Sequence, residues 1–121
     1  MKYLLLIYLN EKQWAAHSEA EVQKIYSEYG QLREDLIASG QFIGASRLQP
    51  IATASSVRVR DGKELITDGP FAETHEQLGG YFLIEAKNLD EAIGIAERVP
   101  VASVGTIEIR PVLEISGLPT D

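Results

Sequence analysis

The stretch TDGPFAETHEQLGG, residues 67–80, holds more titratable and aromatic groups than a turn requires. Asp68 opens a Gly-Pro turn, Phe71 follows, and Glu73, His75 and Glu76 come close behind. A histidine flanked by carboxylates is a candidate general acid or base, because neighbouring negative charge favours its protonated form. Glu73 and His75 also offer two metal ligands, fewer than a stable site uses. A solvated loop histidine is the plain alternative. Asp68 has two compatible roles: its carboxylate can close an Asx-turn on nearby amides, or stand at a cavity rim and take a proton.

Further candidates lie outside the loop. Tyr26 and Tyr29 fall on one face of a helical repeat, where a buried hydroxyl needs a partner and a pocket wall offers one. Arg47 ends a strand and reads as an anion clamp or as a surface ion pair. His17, beside the helix-capping Ser18, reads as a surface histidine. The sequence has no cysteine, no phosphate-cradling loop with Lys-Ser/Thr, no GxSxG elbow and no HExxH pair. No cofactor or metal is expected.

These residues need elements to hold them. YLLLIYL, residues 3–9, is a continuous apolar run that suits a strand buried on both faces. Ser18 and Glu21 form a capping box. Val22, Ile25, Tyr26, Tyr29, Leu32, Leu36 and Ile37 then repeat at helical spacing up to Gly40. Gly30 interrupts this helix, as if a neighbour approached closely. QFIGASRL at 41–48 reads as a strand, and SSVRVRDGKELIT as a hairpin turning at Asp61-Gly62. GGYFLIEA at 79–86 is a strand. Asn88 caps a second helix, with Leu89, Ala92, Ile93, Ala96 and Val99 expected inward. SVGTIEIRPVLEI closes the chain as a strand whose Pro111 suits an edge.

Strand–helix–strand, hairpin, strand–helix–strand predicts an α+β fold: a ferredoxin-like split βαβ with an inserted hairpin and both helices on one sheet face. Residues 1–121 read as one domain. The other sheet face, apolar in YLLLIYL and YFLI, calls for a covering surface, and a homodimer with sheets face to face is expected. The formal net charge of -7 with no basic run argues against nucleic acid and against an anionic membrane surface. No run is long enough to span a bilayer, and the absence of cysteine fits the cytoplasm.

DGPFAE with EQLGGYFLIEA, preceded by VRVRDGKELIT and begun by MKYLLLIY, resembles the DGPF-domain branch of the YCII-related proteins. LQP at 48–50, ATA at 52–54, LDEAIGIAERVP and IEIRPV extend the likeness along nearly the whole chain. The resemblance implies a ferredoxin-like domain that dimerises into an α+β barrel in the bacterial cytoplasm. The other branch carries a His–Asp pair suggestive of acid–base catalysis. Its histidine falls at Tyr29 here, counted back from Gly40, and its aspartate corresponds to Asp68. Position 75 is most often lysine in similar loops, so His75 is a departure.

Two functional classes follow. One is a homodimeric small-molecule-binding domain, with or without cofactor-independent acid–base catalysis. Its pocket would lie between the sheet and the long helix, near the DGPF loop, with Asp68 and Tyr29 catalytic and Phe71, Glu73, Arg47 and His75 touching the ligand. The other is a protein–protein regulator of an extracytoplasmic-function sigma factor, an expectation carried by the resemblance alone.

Overall fold

The structure, a computed structural model, describes residues 1–115. The expected domain span of 1–121 includes residues 116–121, which lie outside the described residues. In chain order the elements are β1 (Lys2–Leu9), α1 (Glu11–Ala15), α2 (Glu19–Ala38), β2 (Phe42–Arg47), β3 (Ser55–Arg60), β4 (Lys63–Asp68), β5 (Gln77–Glu85), α3 (Leu89–Glu97) and β6 (Thr106–Pro111). Single 3₁₀ turns occupy Ile51–Thr53 and Pro100–Ser103. Four strands form one sheet in the order β2-β5-β1-β6, antiparallel throughout, and β3 and β4 pair separately. This is the expected ferredoxin-like α+β architecture, with β6 and its Pro111 on an edge. Among the described residues no helix is long and apolar enough to cross a membrane.

Local chemistry sets the element ends. Ser18 Oγ accepts from the Glu21 amide at 3.2 Å, and the Glu21 carboxylate accepts from the Ser18 amide at 3.0 Å. That capping box satisfies two amides the first turn leaves free. The Asn88 side chain accepts from the Glu91 amide at 3.0 Å to start α3. The helix the periodicity does not show is α1. Asn10 Oδ1 accepts from the amides of Lys12 and Gln13 at 3.0 and 3.1 Å, nucleating a helix of only 5 residues. His17 closes it, with Nδ1 donating to the carbonyls of Gln13 and Trp14 at 3.0 and 3.1 Å.

The core lies between the sheet and the helices. Tyr3, Leu5 and Ile7 of β1 are buried opposite Ile84, Phe82 and Gly80 of β5. Leu32 and Leu36 of α2 and Ala92, Ile95 and Ala96 of α3 close over them, with Val99 and Val101 filling the end. The expected inward face of α3 is therefore corrected. Ile95 points inward, while Leu89 and Ile93 are exposed, because the buried stripe follows Ala92, Ile95, Ala96 and Val99. In α2, Ile37 is likewise 53% exposed. Val22, Ile25, Tyr26 and Tyr29 are only half-buried, so the first half of the helix stands off the sheet.

On the opposite face Leu4, Leu6 and Tyr8 are half-buried, and Leu4 and Leu6 pair with Leu83 and Tyr81. Within one chain, then, β1 is buried on one face rather than two. The β3–β4 hairpin projects from the body as an arm. Asp61 and Gly62 both take positive φ, 53° and 72°, the geometry of a type I′ turn. Val57 and Ile66 face each other across it and are 61% and 62% exposed.

Candidate functional site

Where α2 stands off the sheet, a cavity of about 460 Å³ opens between α1, α2 and the sheet. Its floor is Ile7 with Gly79 and Gly80, and its walls include Trp14 of α1 and Tyr26 and Tyr29 of α2. Leu48 and Pro50, beyond β2, and Val101 of the second 3₁₀ turn complete the apolar lining. A Cβ at position 80 would lie 2.8 Å from the Ser46 carbonyl oxygen, so only glycine lets β2 sit this close to β5. Arg47, the register partner of Gly80, thereby reaches the cavity mouth.

There Arg47 stacks on Tyr26, its guanidinium carbon 3.8 Å from the ring centre. Tyr29 stacks on Phe82 with centroids 6.2 Å apart and planes 10° from parallel. Burial pushes the Tyr29 phenol up to about 12, against the opposing pull of the Arg47 charge. At neutral pH the hydroxyl therefore keeps its proton and acts as a donor. A second groove of about 290 Å³ shares Ile7, Tyr26, Tyr29 and Arg47 with the cavity and runs on to Gly30, Arg33 and Ser46. Arg33 lies over the Phe42 ring at 4.9 Å. Among the described residues neither Arg33 nor Arg47 has a carboxylate oxygen within 4.0 Å.

The structure divides the residues singled out from sequence. Tyr29 and Arg47 meet at the cavity, whereas Asp68, Phe71, Glu73 and His75 do not line it. Asp68 is exposed at the end of β4, and among the described residues its carboxylate accepts no hydrogen bond, so the expected Asx-turn is not formed. The turn is held instead by Gly69, with φ 98°, whose amide donates to the Ala54 carbonyl at 2.6 Å. The Ser56 hydroxyl donates to the Gly69 carbonyl at 3.0 Å. Phe71 is 78% exposed and does not line the cavity, so within one chain it does not meet the expectation that it touches a ligand there. His75 and Glu73 are exposed, and His75 engages its neighbours through its backbone carbonyl, which accepts from Asn10 Nδ2 at 3.4 Å and Gln77 Nε2 at 3.3 Å.

The sequence reading missed Trp14 and Arg33. Trp14 is the only tryptophan of the chain and follows four polar residues in NEKQWAAH. Tyr26, Tyr29 and Arg33 recur at helical spacing, a visible stripe, although a core face produces the same pattern. Gly30 lies on that stripe too. A Cβ there would meet no atom within 4 Å, so this glycine borders open space rather than a close neighbour.

Residues 1–116 match the YCII-related domain. The chain is also 34% identical over 113 residues to an uncharacterized protein of Rhizobium meliloti (strain 1021), covering 92% of this chain and 91% of that one. The coverage takes in every strand of the sheet and both walls of the cavity. The chain belongs to the YCII-related domain family.

Proposed function

We propose that this protein is a homodimeric small-molecule-binding domain of the DGPF branch, with its ligand in the cavity beneath α2. The observation that carries the reading is the cavity itself: largely apolar walls with a few converging polar groups, Tyr29 and Arg47 among them. Such a combination is the usual form of a small-ligand site. DGPFAE at 68–73 and EQLGGYFLIEA at 76–86 support the branch.

The dimer reading rests on the open sheet face. Leu4, Leu6, Tyr8, Tyr81 and Leu83 lie there half-exposed in the middle of the sheet. Glu108 and Arg110, partners of Leu6 and Leu4 on the edge strand, share that face. In a two-fold arrangement a self-complementary patch of this kind sets each acid against the other copy's base. Proton chemistry at the cavity, if the ligand reacts, falls to Tyr29 as a donor toward a developing oxyanion. A part for Asp68 requires the second copy, since within one chain it does not reach the cavity.

Two measurements test the reading. Light scattering at micromolar concentration gives the mass of two chains, and Leu6→Glu gives one; a wild-type monomer rejects the dimer. A metabolite screen by thermal shift finds compounds that raise the melting temperature and alter Trp14 emission. No such compound, together with a sigma factor that co-purifies, would replace the binding reading with the regulator.

A further inference from the structure

Resting on that binding reading, we infer that the ligand is an apolar small molecule carrying one carboxylate, gripped between Arg33 and Arg47. In a chain of 18 acidic and 11 basic residues, these two guanidiniums flank one groove without a carboxylate partner among the described residues. Each lies over an aromatic ring, Arg47 on Tyr26 and Arg33 on Phe42. A guanidinium held over a ring keeps N–H groups free for hydrogen bonding, and their fork matches the two oxygens of a carboxylate. Tyr29 lines the same groove, and its hydroxyl is a further donor. Tyr26, Tyr29 and Arg33 come from one face of α2 and Arg47 from β2 across the gap, so the grip is built on two rigid elements.

The rest of the ligand follows from the cavity. Ile7, Leu9, Trp14, Leu48, Pro50 and Val101 supply an apolar lining, which accepts a hydrocarbon or aromatic body and gives a polar one no partner. Charge also fixes the direction of binding. Glu11 lines the cavity but not the groove, Arg33 lines the groove but not the cavity, and Arg47 lines both. The Glu11 carboxylate, which accepts from the Ile51 amide at 3.0 Å, repels an anion from the α1 end. The carboxylate end therefore lies toward Arg33 and the apolar body beneath Trp14. Carboxylate is favoured over phosphate because neither a helix N-terminus nor a Gly-rich backbone nest borders the groove.

The test uses the full-length protein and its one tryptophan. Benzoate, phenylacetate, 3-phenylpropionate and 4-phenylbutyrate are titrated against Trp14 emission, each beside its uncharged amide, with phenyl phosphate as a further arm. At least one acid is expected to shift the emission and to bind about tenfold or more tighter than its amide. Arg33→Gln and Arg47→Gln should each weaken the acid about tenfold and leave the amide unchanged. Arg47→Lys, which keeps the charge and loses the fork, should fall between. Both side chains are exposed, and melting curves verify that the variants fold. An amide as tight as its acid, or an acid indifferent to both arginine changes, overturns the carboxylate assignment and leaves the cavity reading standing. Phenyl phosphate binding tenfold above every carboxylate overturns it in favour of a phosphate group. If no probe moves Trp14, the inference fails, and the metabolite screen decides the cavity reading separately.

Discussion

The Arg47 guanidinium sits 3.8 Å from the centre of the Tyr26 ring and so ties β2 to α2 across the cavity mouth. The contact is exposed and contributes about 0.5–1 kcal/mol to stability. Tyr26→Phe keeps a ring face and should leave the urea midpoint unchanged. Tyr26→Leu should lower the unfolding free energy by that amount and also weaken carboxylate binding, because the freed arginine samples more rotamers. Equal binding by the two variants would show that the ring does not orient Arg47.

Tyr29 gives a second prediction, in pH. Its folded pKa, about 12, lies above the ordinary tyrosine value of 10.0 because burial disfavours the phenolate. A group whose folded pKa is raised contributes stability that is complete below its unfolded pKa and is lost as pH rises through the folded value. The window therefore runs from about 10 to about 12. Absorbance at the tyrosinate band should show one late step near the upper limit that is absent from Tyr29→Phe. The stability difference between the two proteins should change across that window and hold constant below it. A removed step near 10 would mean the ring is solvated.

Gly30 should respond to substitution with opposite signs at two sizes. A Cβ at this position meets nothing within 4 Å, so Gly30→Ala should raise stability by about 1 kcal/mol through helix propensity. Gly30→Leu extends into the groove beside Arg33 and Arg47, and should keep that stability while abolishing the Trp14 response. A destabilised alanine variant, read from urea midpoints, would mean that another surface covers this point.

Gly80 should tolerate nothing. Its missing Cβ lets the Ser46 carbonyl approach, and Gly80→Ala places a methyl 2.8 Å from that oxygen. Backbone against backbone cannot relax cheaply, and a loss of about 1–3 kcal/mol is expected. Because Arg47 is the register partner of Gly80, the shift should also weaken binding. Unchanged amide exchange at Ser46 and Arg47 in this variant would show that β2 does not move.

These contrasts explain what was legible in advance. The Ser18–Glu21 box, the Asn88 cap and the Asp61-Gly62 turn were readable because each depends on atoms a few residues apart. The sheet was readable because two similar strand–helix–strand halves have few ways to pack. Helix α1 was not, since 5 residues show no period. The site was half legible. Tyr29 and Arg47 could be singled out by type, but the stack of Arg47 on Tyr26 joins positions far apart in the chain. Asp68, Phe71 and His75 carried the more suggestive chemistry, and none of them lines the cavity. Residue type proposes a role, and the path of the backbone decides whether the role has a place.

The arm formed by β3 and β4 bears on how such a chain can change over time. Its ends meet where the Gly69 amide donates to the Ala54 carbonyl, and the strands on either side, β2 and β5, are already antiparallel neighbours. A tight turn would connect such strands equally well. In the connectivity of the sheet the arm is a side branch, so trimming or exchanging it reroutes no strand. The letters DGPF sit at the root of this branch, on the portion of the chain that the sheet could most easily do without.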